Sequence, residues 1–440
     1  MTGTTDDCDR THVVTAFLRH GGDVLLLCRS DAVGTYAGRW GGVSGFAEGD
    51  PDAQVRTEIR EETGLEDAVS LVRSGRPVEF ADAELEREWV VHPYLFDCDR
   101  RDLELSEEHD TAEWVPPTEI ADPDSDRETV PELWTAYERV APTVRSIAAD
   151  GEHGAASLSI RALEVLRDRA GLLVAERDAG DSASDPDEEW DELAELARRL
   201  LEARPAMAVL RNRVNRTMAD AEATAGDGTA DAPAVLEAAL AGIDRALEAD
   251  TEAAATAADS LEGSVMTLSR SGTVLEALRV GELSRVFVAE SRPAREGVGV
   301  AEALAEDCAV TLHTDAAAAH LLATEDVDRV LVGADTIRAD GAVVNKTGTR
   351  ALAVAAAREA VPVTVVAATD KLSTREELNL ESGDRSAVYD GDAGIDVANP
   401  TFDVTPADCV SEVATEYGLL EPETLEDIVE ELRELEAWWS

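Results

Sequence analysis

The sequence predicts a two-domain chain: an α+β module, then a helical subdomain and an α/β parallel-sheet domain. Three observations predict it. The length, 440 residues, exceeds one ordinary domain and suits two or three. The first 142 residues carry β-type runs around a glycine-rich loop and one short, well-signalled helix. From about residue 262, short apolar strands alternate with alanine-rich helical stretches, the pattern of a parallel sheet covered by helices. The predicted segments are 1–142, 145–258 for the helical subdomain, 259–423 for the sheet domain, and a closing acidic helix over 424–440.

Val13 to Leu18 and Val24 to Leu27 read as two strands joined by the turn His20-Gly21-Gly22-Asp23. A glycine-rich loop follows, Gly38 to Gly49. Asp50 then fits an N-cap, Pro51 the first helical position and Gly64 the residue just past the helix end. Strands are predicted over 70–80 and 88–97, and a helix near 129–140. Ile160, Leu163 and Leu166, then Leu193, Leu196, Leu200 and Leu201, fall at helical spacing. Asp178 to Glu189 and Ala223 to Pro233 read as exposed loops between helices. The later strands centre on Val265–Leu268, Val286–Val288, Val310–Leu312, Val330–Val332 and Val363–Ala367.

Acidic residues number 93 against 39 basic ones, a formal net charge of −54, and all but Lys346 and Lys371 of the basic residues are arginine. Such a surface repels itself in dilute buffer, and salt screens the repulsion within ~3 Å at 1 M. The acids run along the whole chain, which predicts adaptation to a salt-rich cytoplasm rather than an acidic partner-binding tail. The same charge argues against general nucleic-acid binding. Five scattered cysteines without a Cys-x-x-Cys pair argue against zinc and for reduced thiols. The polar start predicts no signal peptide, and no apolar run approaches the ~20 residues of a membrane span. The expected location is cytoplasmic.

Glu58, Glu61 and Glu62 stand at i, i+3 and i+4, so one helix face carries three carboxylates. A divalent cation compensates such crowding, and Mg²⁺ (or Mn²⁺) favours hard oxygen ligands together with substrate phosphates. It can neutralise a diphosphate and activate water. In an acidic chain a solvated helix face is the ordinary reading of three glutamates. The surroundings decide otherwise: Gly42, five residues, Glu48, seven residues, Arg56, then Glu58-Ile59-Arg60-Glu61-Glu62-Thr63-Gly64-Leu65. This stretch resembles the Nudix box, with Thr57 as one extra residue between its halves. The Trp40-Gly41-Gly42 and Trp114-Val115-Pro116-Pro117 segments also suit that family. The resemblance implies a Nudix fold and a metal set of Glu58, Glu61, Glu62 and Glu48. It further implies hydrolysis of a nucleoside diphosphate-linked substrate, with one of the triad or Glu107 or Glu108 as general base. If residues 51–62 form one continuous helix, Arg56 lies about 200° from Glu58 and cannot serve the same face; alternatively the loop absorbs the extra residue, Thr57 takes the Arg position and Glu48 is displaced.

Residues 145–420 resemble a second family, which unites translation initiation factor 2B alpha, beta and delta subunits with isomerases of ribose-1,5-bisphosphate and methylthioribose-1-phosphate. The resemblance rests on His153-Gly154-Ala155, Glu290-Ser291-Arg292-Pro293 with Glu296-Gly297, Gly333-Ala334-Asp335, and Asn345-Lys346-Thr347-Gly348-Thr349, with Arg204-Pro205 as a weaker point. It implies a Rossmann-like sheet, a sugar-phosphate or nucleotide ligand, and a homodimer. Arg292 offers a fork for phosphate; Gly154, Asn345 and Lys346 are further binding candidates. Asp335 is the catalytic candidate, placed after an apolar strand where parallel sheets bind ligands. In the isomerases a Cys in a Thr-His-Cys-Asn-like loop pairs with that Asp. Here the loop reads Met266-Thr267-Leu268-Ser269-Arg270-Ser271-Gly272-Thr273 and has no Cys; Ser269 or Ser271 can hold the place sterically, but serine is a far poorer acid than a thiol. The expectation is therefore a binding or regulatory domain, with a translation initiation factor as the alternative partner and isomerase chemistry as the lesser reading.

Overall fold

The computed structural model describes residues 10–47, 49–151, 153–178, 185–226, 228–377, 380–421 and 424–439. The chain forms two compact units. One comprises residues up to Ser146 with Arg161–Leu196 and Thr224–Ile243; the other comprises Ile147–Ile160, Ala197–Ala223 and Asp244–Ser440.

The first unit is built on an eight-stranded mixed sheet. Its strands are β1 (Arg10–His20), β2 (Asp23–Arg29), β3 (Trp40–Gly41), β4 (Val43–Phe46), β5 (Val69–Ser74), β6 (Val78–Asp82), β7 (Arg87–Cys98) and β8 (His109–Val115). The order β3-β2-β1-β7-β5 is extended by β4 on β1, β6 on β7 and β8 on β2. Strands β1 and β7 run parallel, Val14 opposite His92 and Phe17 opposite Leu95. Period-2 alternation builds two cores from the same strands. Val14, Ala16, Leu18, Leu25 and Leu27 face Val55 and Ile59 of helix α1 (Pro51–Thr63). Phe17, Val24 and Leu26 face Leu133, Ala136 and Tyr137 of helix α2 (Leu133–Glu138).

The predicted hairpin and helix limits are observed. Asp50 accepts from the Asp52 N–H, and Gly64 is left-handed at φ 67° with its N–H on Arg60 O. The stretch 70–80 is two strands rather than one, because Gly75 and Pro77 interrupt the ladder between β5 and β6. The glycine-rich loop contributes the short strands β3 and β4.

After α3 (Val144–Ala149) come four longer helices, α4 (Ala155–Asp178), α5 (Pro186–Ala203), α6 (Ala208–Ala225) and α7 (Ala232–Ala258). The first unit thus does not end where the β pattern does. The Arg19 guanidinium, 3% exposed, binds Asp97 and the fully buried Glu164 of α4. Arg167 of α4 donates to Gly22 O at the hairpin turn and pairs with Asp168, which accepts from the Tyr137 hydroxyl. Of the segment expected as a loop, 179–184 lies outside the described residues, and Pro186 already opens α5.

The second unit holds a seven-stranded sheet. In chain order its elements are β9 (Glu262–Leu268), α8 (Gly272–Val280), β10 (Glu282–Ala289), α9 (Glu296–Leu304), β11 (Ala309–His313), α10 (Ala318–Thr324) and β12 (Arg329–Gly333). There follow β13 (Thr336–Ile337), β14 (Val343–Lys346), α11 (Thr349–Arg358), β15 (Val363–Val366), β16 (Phe402–Thr405), β17 (Glu412–Thr415), β18 (Gly418–Leu420) and α12 (Leu425–Glu434). The order β11-β10-β9-β12-β15-β17-β18 is parallel up to the antiparallel β18. Counted within this sheet, its first six strands run 3-2-1-4-5-6, the doubly wound order. One face packs α7, α8 and α9 through Ala253, Ala257, Val274, Leu278, Val300 and Leu304. The other packs α10, α11 and α12, and the acidic last helix buries Leu425, Val429 and Leu432 in that core.

Candidate functional site

Two sites emerge, one in each unit. In the first unit a cleft of about 710 Å³ runs beside α1 and is lined by Glu58, Glu61, Glu108, Arg29, Ser44 and Gly45 among others. Helix α1 presents Glu58 and Glu61 to it from successive turns. Glu58 accepts from Gln54 Nε2 at 2.6 Å. Glu61 pairs with Arg60 at 3.2 Å and stays exposed. Glu62 is turned inward, 3% exposed, and accepts from the Ser44 N–H at 3.1 Å, with His109 Nε2 4.0 Å away.

The sequence placed all three carboxylates together on one side of the helix. In the structure each has its own partner. Among the described residues no three His, Cys, Asp or Glu side chains already stand as a metal-holding group. Burial and like charge act on them together: Glu58 is raised by burial and by Glu61 and Glu108, and Glu62 by burial and by Glu58 and Glu108. Glu48 lies outside the described residues.

The residues nonetheless fit a divalent cation. Burial pushes the Glu62 carboxyl up to about 8, despite Ser44 and Arg29, so its anion needs a positive neighbour. At Gly45 an added Cβ would stand 2.0 Å from Glu58 Oε1, so the glycine is what lets that carboxylate sit against β4. The donor set is hard oxygen throughout, which suits Mg²⁺ or Mn²⁺.

Arg56 does not join them. Helix α1 is continuous, and the Arg56 guanidinium lies 5.6 Å over the Phe96 ring, away from the cleft lining. Arg29, which the motif did not flag, faces the cleft instead; its Nε donates to Thr35 O, and its charge acts on Glu62. Nothing in the β2 sequence distinguishes it from other strand arginines. Glu108 lines the cleft, while Glu107 is not among the lining residues.

In the second unit the sheet order reverses between β9 and β12, the crevice where doubly wound sheets bind ligands. Asp335, the predicted catalytic position, follows β12 and falls there, as does Ser269 after β9, one of the two serines that the sequence offers in the cysteine's place. Ser269 is left-handed at φ 64°; its N–H donates to Ser291 Oγ at 2.6 Å and its hydroxyl to Glu296 Oε2 at 3.0 Å. Lys346 Nζ lies 3.2 Å from Glu296 Oε1. Burial raises the Asp335 carboxyl, and Lys371 and Lys346 oppose the rise. The only two lysines of the chain therefore converge on one aspartate. Lys371, buried at 6% exposure, was not picked out as a site residue; its rarity was the available signal.

The remaining candidates are less central. Asn345 is buried and donates to Thr349 Oγ1 at 3.0 Å, organising the start of α11. The Arg292 N–H donates to Asp315 Oδ2, beside the Ser291 N–H on Oδ1, while its side chain is exposed. Gly154 is exposed, with nothing within 4 Å of an added Cβ.

Comparison with known proteins places two segments of the chain in families. The profile described as the initiation factor 2 subunit family matches residues 151–422, and that of the Nudix domain matches 9–133. The chain belongs to the initiation factor 2 subunit family and carries a Nudix domain ahead of it. It is 35% identical over 318 residues to a ribose 1,5-bisphosphate isomerase of Haloterrigena turkmenica, covering 67% of this chain and 93% of that protein. It is 38% identical over 169 residues to a methylthioribose-1-phosphate isomerase of Pseudomonas aeruginosa, covering 34% of this chain and 46% of that protein. Among solved structures it resembles the translation initiation factor eIF-2B of Pyrococcus horikoshii OT3. That match has a TM-score of 0.52 and 27% identity, and covers 63% of this chain and 95% of the other. No helix among the described residues is long and apolar enough to cross a membrane.

Proposed function

We propose that the first unit is a Mg²⁺- or Mn²⁺-dependent pyrophosphohydrolase acting on a nucleoside diphosphate-linked compound of the ADP-ribose type. The observation that carries this reading is the buried Glu62 beside Glu58, Glu61 and Glu108 at the edge of a cleft large enough for a nucleotide. Glu58, Glu61 and Glu62 would hold the cation. When bound, it would neutralise diphosphate charge and lower the pKa of water. Arg29 supplies a fixed positive charge for phosphate. Glu108 is the carboxylate best placed to accept a proton from water, since it lines the cleft near Glu58 and Glu62 without belonging to their helix. The test is a screen of nucleoside diphosphate sugars with MgCl₂ in concentrated KCl. AMP release from ADP-ribose or a close analogue, abolished in Glu61→Gln, supports the reading; no nucleoside monophosphate from any member of the screen refutes it.

For the second unit the reading is a phosphorylated ribose-like ligand held between β9 and β12 by Lys346, Lys371 and Arg292. A homodimer and contact with a translation initiation factor belong to this reading as expectations. Isomerase chemistry is a second reading, and it stands higher than the missing cysteine alone suggests. It is favoured by the likeness to a ribose 1,5-bisphosphate isomerase over nearly that protein's full length. The raised Asp335 carboxyl at the crevice also suits proton transfer. Ser269 hydrogen-bonded to Glu296 stands against it. Following ribose 1,5-bisphosphate by phosphorus NMR decides: conversion lost in Asp335→Asn supports isomerisation, and binding without conversion supports a ligand-sensing domain.

A further inference from the structure

Glu296 opens helix α9 beside the crevice between β9 and β12, in a position the fold holds tightly. An added Cβ at Gly297 would stand 1.9 Å from the Ala289 carbonyl oxygen, so glycine is what lets the first turn of α9 close onto the end of β10. The loop before it is left-handed at both ends, with φ 62° at Ser291 and 59° at Arg295. Asp315 pins that loop by accepting from the Ser291 and Arg292 N–H groups. Backbone conformations of this cost persist where surrounding contacts over-determine them, and they gather at functional positions.

The carboxylate so placed uses both oxygens. Oε2 accepts from the Ser269 hydroxyl at 3.0 Å and Oε1 from Lys346 Nζ at 3.2 Å. Its side chain is still 24% exposed, so a ligand in the crevice can reach it. Ser269 gives its hydroxyl proton to this contact, which makes the serine an orienting group and leaves Glu296 as the proton acceptor. Asp335 faces it from the end of β12. Burial raises the Asp335 carboxyl, and the charges of Glu381 and Glu296 add to the rise against Lys371 and Lys346. Among the described residues the Asp335 carboxyl has no hydrogen-bond or ion-pair partner, so it is available to a ligand. One carboxyl is driven toward its acid form while the other sits against an ammonium group, the arrangement in which two carboxyls divide acid and base roles.

We propose that Glu296 is the catalytic base of this crevice in place of the absent thiol, with Asp335 as its acid and Ser269 as the residue that positions it. The proposal rests on the isomerase reading and names the side chain that moves the proton. On a cyclic ribose 1-phosphate, Asp335 gives its proton to the ring oxygen as the bond from C1 to that oxygen breaks. Glu296 takes the proton from C2, and the C–H electron pair becomes the C1–C2 double bond. The enol hydroxyl then returns a proton to Asp335, while Glu296 returns its proton to C1. The product is the ketose with its C1 phosphate intact, and both carboxyls end as they began. C2 is oxidised and C1 reduced within one molecule, so no co-reactant is consumed.

The test follows ribose 1,5-bisphosphate by phosphorus NMR with the full chain in concentrated KCl. The wild type should convert it. Glu296→Gln keeps the shape of the side chain and cannot carry the proton, so kcat should fall about 10²–10⁴-fold with little change in KM. Glu296→Asp keeps the charge beside Lys346 and should retain part of kcat. Ser269→Ala should stay within about tenfold of the wild type, the scale of one lost hydrogen bond. Full kcat in Glu296→Gln, or a rise in its KM alone, would overturn the proposal, because Glu296 would then serve only to hold Lys346. A loss in Ser269→Ala as deep as that in Glu296→Gln would return the role to the serine and overturn it as well. Those outcomes leave the isomerase reading standing; no conversion by the wild type ends that reading and the proposal with it.

Discussion

Glu62 makes the metal reading measurable without any substrate. Its carboxyl is 3% exposed and raised by burial from 4.5 to about 8. In the unfolded chain the same group titrates near its ordinary value. Below that value both states are protonated and Glu62 contributes its full share of stability. As pH rises toward 8 the unfolded state ionises and the folded state does not, so stability falls by ~1.4 kcal/mol per pH unit. The whole displacement corresponds to at most roughly 5 kcal/mol, lost by the time pH has passed the folded value. A cation held by Glu62 displaces the proton, so Mg²⁺ should restore stability, and should do so more at pH 8.5 than at pH 5.5. The assay is guanidinium unfolding across this pH range in concentrated KCl, with and without MgCl₂, for the wild type and Glu62→Gln. Other buried carboxyls titrate in both proteins, so the difference between them isolates Glu62. The wild type should lose stability relative to the variant as pH rises, and the cation should close that gap. Parallel curves with no cation effect would refute the reasoning.

Further outcomes follow from individual contacts. Gly45→Ala should weaken cation binding about tenfold with little change in melting temperature. The new methyl displaces only the flexible end of Glu58, and Mn²⁺ titration with thermal unfolding reads both. Arg56→Ala should leave hydrolysis within about 0.5 kcal/mol of wild type, because Arg56 lies over Phe96 rather than in the cleft; steady-state kinetics measures it. Arg167→Ala should destabilise the first unit by roughly 3–5 kcal/mol. It strands Asp168 and the Gly22 carbonyl in a buried space, and chemical unfolding reads the loss.

Much of this architecture was legible because local signals agreed. The Asp50 cap, Pro51 and Gly64 fixed α1 at both ends, and the Val/Leu runs of β1 and β2 announced their hairpin. The strand–helix alternation after residue 262 announced the doubly wound sheet. What escaped was non-local. That α4 from Arg161 onward belongs to the N-terminal compact unit goes with Arg19 meeting Glu164 across 145 residues, and no periodicity encodes that pairing. The same holds at the sites. The i, i+3, i+4 spacing placed the three glutamates on α1 correctly. It did not show that Ser44 would draw Glu62 inward, nor that Arg29 would take the cleft position Arg56 cannot reach. In the second unit Asp335 and Lys346 were readable from motif. Glu296 stood in the motif as well, but its bridging of Ser269 and Lys346 emerged only once β9, α9 and β14 were assembled.

The most direct measurement is a Mn²⁺ titration of the full chain followed by electron paramagnetic resonance at molar KCl, where loose binding to the acidic surface is screened. The account predicts one tight ion per chain in the wild type and its loss in both Glu58→Gln and Glu62→Gln. A tight site that survives both substitutions, or no tight site in the wild type, would contradict it.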